Sequence, residues 1–329
     1  MRFLFAITWL LSWPVNASEW IEDTLTLGTE PRIQIYGTHD IDAIRPVLEA
    51  FVAARSIGLD YVSVSSKDLD QHVVQPRLSP VDVVFSSAVD LQMKAVNDGL
   101  AYSFETSEDL QWRGSLFQIS LEPIVSLYNT ELLPWAAQVS DRADLARRLR
   151  ERTLAMPQGA VVYDPNLSGL GYLLATQDSE QSDSFWPLIE AISESGISQL
   201  CCSSDMLHKV QTGQAALAYN LLESYALERV SFDPSVEILR FGDYQLVVPR
   251  TAWVPKWSTR AQDAFEFIQF VRTEGQTALP ERNRLKQLST PQLAPLKPIR
   301  LSPALILYLD SYKHRRFMRR WNAATRPLD

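Results

Sequence analysis

The chain has 329 residues, with 31 Lys and Arg against 39 Asp and Glu, for a formal net charge of −8 at neutral pH. That acidic balance argues against a nucleic-acid footprint, which needs clustered positive charge. The two cysteines, Cys201 and Cys202, are adjacent and cannot close a long loop, which excludes a disulfide framework.

Residues 1–17 read as a signal peptide. Arg2 is the positive start, Phe3 to Trp13 an apolar run broken only by Thr8 and Ser12, and Pro14 a break. Val15-Asn16-Ala17 then fits the small-residue cleavage pattern, making Ser18 the mature start. The apolar run is well short of the roughly twenty residues a spanning helix needs. No cysteine follows it to carry a lipid. The expectation is secretion to the periplasm, with no stable membrane insertion after cleavage.

The mature length suggests two domains. Strands alternate with helical patterns, which favours parallel sheets covered by helices, an α/β class. Ile33–Tyr36 reads as the first strand, followed by Gly37-Thr38-His39-Asp40 and a helix over Ile41–Ala54 with Ile44, Leu48, Phe51 and Val52 on one face. Leu59–Val64 is a second strand, ending in Ser65-Ser66. Val81–Phe85 is a third, ending in Ser86-Ser87 before a helix with Ala88, Leu91, Ala95 and Val96 that stops near Gly99. Three strands thus end in small or polar residues where a helix begins. That is where open α/β sheets bind ligands and where unpaired backbone N–H groups can hold an anionic or polar group.

Pro123–Tyr128 is extended and suited to crossing into a second lobe. A helix over Ala143–Arg152 and a strand at Val161–Tyr163 follow. The strand leads through Asp164-Pro165-Asn166 to Ser168-Gly169-Leu170-Gly171-Tyr172, again a polar turn at a helix start. Ser203–Thr212 reads as a helix, Ala215–Tyr219 as a strand, Leu246–Pro249 as a return crossing, and Ala261–Thr273 as a helix ended by Glu274-Gly275. Pro280–Pro303 is irregular, and Ala304–Asn322 is a last helix with a basic second half. Cys201 and Cys202 are expected to be reduced and partly buried, with a strained vicinal disulfide as the alternative. A metal pair is disfavoured because no second Cys or His cluster lies at ligand spacing.

In this order and spacing, Ser86-Ser-Ala-Val-Asp-Leu-Gln-Met-Lys-Ala-Val-Asn-Asp-Gly99, Ser168-Gly-Leu-Gly-Tyr172 and Ala218-Tyr-Asn-Leu-Leu-Glu-Ser-Tyr-Ala226 resemble the type II extracellular solute-binding proteins of ABC transporters. Glu274-Gly275-Gln276 is similar to the family's usual helix ending. Tyr308-Leu-Asp310 with Lys313, Arg316, Phe317 and Trp321 resembles the C-terminal helix of the iron(III)-type-related branch, often found beside a tricarboxylate-type sensor kinase and response regulator. The resemblance implies a periplasmic binding protein type II fold, two α/β lobes joined by crossing strands with a ligand cleft between. It places the first lobe at 18–123, the second at 124–248, and a return to the first at 249–329 with the C-terminal helix.

By position, the implied ligand-binding residues are Thr38, His39, Ser65, Ser66, Ser86 and Ser87 from the first lobe. Asn166, Ser168, Gly169, Tyr219, Asn220 and Tyr225 come from the second. The chain departs from the iron(III) pattern, because Tyr219 and Tyr225 are six apart where those binders carry two adjacent tyrosines; direct iron binding is not expected. Glu223 replaces the branch's usual Gly and either faces the cleft or lies on the surface. Each candidate has a plainer reading. Ser86, Ser87 and Ser168 suit helix caps, and the tyrosines suit core packing. Lys313, Arg315, Arg316, Arg319 and Arg320 suit a solvated helix face whose apolar stripe packs on a lobe.

No GxSxG elbow, P-loop, GxGxxG, HExxH or Cys–His spacing occurs, so neither catalysis nor a bound cofactor is expected. The expected function is capture of a small anionic or polar solute by hinge closure, in a monomer that delivers it to an ABC permease. The alternatives are presentation of the closed form to a sensor kinase and, least favoured, secreted hydrolysis.

Overall fold

The computed structural model describes residues 20–106, 111–151, 156–278 and 295–326. The signal segment and residues 280–294 of the proline-rich stretch lie outside them. The chain opens with β1 (Ile21–Leu27), β2 (Arg32–Gly37), α1 (Ile41–Arg55), β3 (Gly58–Val64) and α2 (Ser66–Asp68), which a π-helical turn extends to Val74. It continues through β4 (Val83–Ser86), α3 (Val89–Asn97), β5 (Gln111–Trp112) and β6 (Leu116–Asn129). Next come α4 (Arg142–Arg150), β7 (Ala160–Tyr163), α5 (Gly169–Gln181), α6 (Phe185–Glu194) and β8 (Ile197–Leu200). After them come α7 (Ser203–Gln211), β9 (Leu217–Leu222), α8 (Glu223–Val230) and β10 (Val236–Leu239). The last elements are β11 (Gln245–Trp253), α9 (Ala261–Arg272), β12 (Leu296–Pro298) and α10 (Ser311–Ala324).

The strands run in the order β1-β3-β2-β4-β11-β6-β9-β7-β8. β2 is parallel to β3 and β4, and β7 is parallel to β8 and β9. These parallel strands are the apolar runs read from the sequence: Val83, Val84 and Phe85 of β4 are all buried, as a strand covered on both faces requires. β6 is long enough to serve both lobes. Its first half pairs antiparallel with β11 as far as Val247↔Pro123, and from Ile124 it pairs with β9. Apolar side chains gather in three groups. One covers the outer face of the first lobe, where α1 and α9 pack Phe51 edge-on against Phe267. A second covers the outer face of the second lobe, and a third runs between the lobes.

The expected last helix is broken. Pro303–Leu309 is a 3-10 turn that packs on α3, and α10 begins only after Asp310, whose carboxylate accepts from the N–H groups of Tyr312 and Lys313. The cap starts a new helix there. α10 then packs on the second lobe, not the first, because Phe317 and Trp321 fill a cluster with Tyr172 and Trp186. Tyr312 of α10 is exposed. The edge strand β1 escaped the sequence reading because the polar run Glu22-Asp23-Thr24 shows no clean apolar alternation.

Candidate functional site

Five helices begin at one place. Asp40, Ser65, Ser168, Cys202 and Leu222, the N-caps of α1, α2, α5, α7 and α8, all line a cavity of about 60 Å³. α1 and α2 follow strands of the first lobe, and α5, α7 and α8 belong to the second, so the cavity lies in the seam between them. Helix N-termini carry N–H groups without intrahelical partners and a partial positive potential.

Hydroxyls dominate its wall. Thr38, Ser65, Ser66 and Ser87 come from the first lobe, and Tyr163, Ser168, Ser203, Ser204 and Tyr225 from the second. The lobes touch across it. Leu170 N–H donates to Ser66 Oγ at 3.1 Å, and Asp40 N–H donates to Tyr225 Oη at 3.3 Å. Lys67 Nζ donates to the Asn166 carbonyl beside it. Ser65 and Ser168 also cap their helices, accepting from Asp68 N–H at 3.1 Å and Gly171 N–H at 3.0 Å. The capping and lining roles coexist in the same side chains.

Six of the twelve expected residues therefore line the cavity: Thr38, Ser65, Ser66, Ser87, Ser168 and Tyr225. The others do different work. Ser86 is fully buried behind the wall and its Oγ accepts from Ala88 N–H at 3.1 Å. His39 packs its ring 4.2 Å from that of Phe85, and neither ring nitrogen has a partner among the described residues. Burial, then the charge of Arg250, holds this imidazole well below its usual range, so it is neutral. Asn166 is exposed and turns its amide to Asp164 Oδ1 at 3.0 Å. Gly169 serves lobe contact: a Cβ there would lie 2.8 Å from Leu91 Cδ1 of the first lobe.

Tyr219 and Asn220 belong to the interior of the second lobe. Side chains alternate along β9, so Tyr219 faces the outer layer while Ala218 faces the seam. Its hydroxyl donates to Asp178 Oδ2 at 2.6 Å and accepts from Arg142 Nε at 2.9 Å; Asn220 donates to the same carboxylate at 2.8 Å. Glu223 is buried and paired with Arg240 at 2.5 Å, so it neither faces the cavity nor lies on the surface. The cysteines are joined in a disulfide, not reduced as expected; they stand between the close of β8 and the start of α7, and both residues line the cavity. Lys313, Arg315, Arg316, Arg319 and Arg320 form no ion pair among the described residues, although Arg320 lies over Trp186 at 4.2 Å and Lys313 over Tyr308 at 5.6 Å.

Sequence reasoning missed Glu22, Asp40, Tyr163, Ser203, Ser204 and the cysteine pair as wall residues. Asp40, Ser203 and Cys202 carried a signal, since each stands at a helix start. Glu22 carried none, because it arrives on an edge strand from far along the sheet. Burial, reinforced by the charge of Asp40, raises the Glu22 carboxyl, and burial raises Asp40 against the pull of Arg229 and Arg250. No Lys, Arg or His lines the cavity among the described residues.

The sequence matches no protein-family model and no curated relative. Solved structures match over nearly its full length. A substrate-binding protein of an ABC transporter from Agrobacterium tumefaciens superposes with a TM-score of 0.82 at 26% identity, covering 92% of this chain and 98% of that one. A ferric binding protein from Campylobacter jejuni gives 0.68 at 14% identity over 89% and 99%. The periplasmic binding protein AfuA from Actinobacillus pleuropneumoniae, with fructose-6-phosphate bound, gives 0.69 at 14% over 90% and 99%. The fold is that of a type II periplasmic binding protein. The seam described above is the gap between its two lobes.

Proposed function

We propose that the protein is a non-enzymatic periplasmic solute-binding protein that clamps a small polar solute of low net charge in this seam and releases it unaltered to an ABC permease. The N-terminal segment directs export. The first lobe comprises residues 18–123 and the return from 249, and the second comprises 124–248, with α10 resting on it. The observation that carries the reading is the convergence of five helix N-caps and nine hydroxyls, drawn from both lobes, on one cavity. Closure about β6 and β11 would desolvate a solute held there, and the ligand moves that equilibrium by its preference for the closed form.

Charge narrows the solute. Each helix N-terminus carries roughly half a positive unit, and together they offset the carboxylates of Glu22 and Asp40. A near-neutral wall rich in donors and acceptors suits a hydroxylated or zwitterionic solute better than a bare anion. The test is a thermal-shift screen of the mature protein over polyols, sugars, zwitterionic amino acids and sugar phosphates. A solute at a hundred times its Kd should add about 2.7 kcal/mol of stability, and should be recovered chemically unchanged. No shift with any compound, or recovery of a converted product, sinks the reading.

A further inference from the structure

The cysteine pair lies on the cavity wall beside carboxylates from both lobes, and nothing in the capture of a hydroxylated solute uses it. A ligand atom from each of Cys201, Cys202 and Asp205 lies within 4.8 Å of the other two. Cys201 Sγ is 4.0 Å from Asp205 Oδ2, and Cys202 Sγ is 3.7 Å from Glu22 Oε1, which reaches over from β1 of the first lobe. The two sulfurs and Asp205 thus form one cluster, and Glu22 of the other lobe adjoins it through Cys202. We propose that the reduced pair, with Asp205 and Glu22, forms a four-coordinate site for a thiophilic divalent cation such as Zn²⁺ or Cd²⁺, and that the disulfide closes this site.

The chemistry balances with a dithiol donor as reductant. One donor thiolate attacks a sulfur of the pair and forms a mixed disulfide; the donor's second thiolate breaks it. The donor leaves as its own disulfide, two electrons and two protons having passed to Cys201 and Cys202. The thiols lose those protons to water when they bind the cation. Thiolate and carboxylate oxygen are the ligands that Zn²⁺ accepts in tetrahedral sites. Oxidation withdraws both sulfur donors and leaves the near-neutral wall that suits an uncharged solute. Reduction adds two negative ligands beside Glu22 and Asp205, which lie on opposite lobes, so a bound cation ties the lobes together.

The test uses the full mature chain, reduced with a phosphine that is then removed without air, and titrated with Cd²⁺ alone. The reduced protein should take up one Cd²⁺ per chain with a thiolate-to-cadmium charge-transfer band in the ultraviolet, and the oxidised protein should show none. Cys202→Ser should lose most of the band. Glu22→Gln should keep the band and weaken binding by at least the roughly tenfold that even an outer-shell partner is worth. No band on reduction, or an equal band with Cys202→Ser, overturns the site. Unweakened binding with Glu22→Gln overturns its bridging of the lobes. The inference rests on the cleft reading only through Glu22. Failure of every solute in the thermal-shift screen counts against that reading and leaves the cadmium band as an independent measurement.

Discussion

Gly169 opens α5 where Leu91 of the first lobe presses against it, and the absence of a side chain is what lets the lobes meet there. Gly169→Ala should leave the solute-free protein's stability nearly unchanged, since Ala suits a helix start, while weakening the solute-induced thermal shift. Because the obstructing atom is the end of a flexible leucine, Leu91→Ala in the same chain should restore the shift, as a double-mutant cycle would show. Asp90 is a second residue whose role comes from its surroundings. Burial pushes its carboxyl up to about 7, whereas an unfolded chain titrates near 3.9. Between those values the folded state holds a proton that the unfolded state lacks, so stability falls as pH rises through that window. Asp90→Asn should flatten the decline, and urea unfolding at several pH values from about 4 to 7 would show the wild type losing a few kcal/mol more than the variant. The reading of Ser65, Ser66, Ser87 and Ser168 was legible from sequence because a hydroxyl at a strand–helix junction has few other places to point. His39 was not legible: the same junction turned its ring inward onto Phe85.

Elements of the second lobe are tied by buried polar groups that no local pattern announces. Arg142 of α4 reaches Tyr219 of β9 at 2.9 Å, Asp178 of α5 at 3.5 Å and Asp243 at 2.7 Å, with its guanidinium 3.8 Å over the ring of Tyr244. Removing one partner of a buried pair leaves the other charge unsatisfied at about 3–5 kcal/mol. Arg142→Ala should show a loss of that size in chemical unfolding, while the fraction still folded binds solute with its original affinity. α10 is held by packing. Phe317 meets Tyr172, Trp186 and Tyr308 within 5.4–6.2 Å ring to ring. Phe317→Ala should cost about 3–5 kcal/mol, and tryptophan fluorescence from Trp186 and Trp321 should report the loosening. The apolar spacing of this helix was visible in the sequence. Which lobe it covers was not, because either lobe offers an apolar outer face.

The whole molecule places its moving parts around one antiparallel pair. β6 and β11 cross between the lobes, and Arg250 of β11 is paired with Glu122 of β6, both buried. The C-terminal segment lies across the same divide, with β12 on β11, the 3-10 turn on α3 and α10 on the second lobe. Opening the seam would bend this segment at Asp310, where the helix restarts. The described form has the lobes in contact, so small-angle scattering should give a larger radius of gyration without solute than with it; equal radii would rule out hinge closure. The sequence by itself determined the alternation of strands and helices, the polar turns where they meet, the absence of catalytic motifs and the apolar start, because each depends on neighbours a few residues apart. The tertiary structure alone decided that five helix starts share one cavity, that Glu22 reaches it, that Tyr219 turns away, and that the cysteines face it as a disulfide. Those outcomes depend on how a twisted sheet brings distant strand ends together, and on which way an alternating side chain points once its strand is paired.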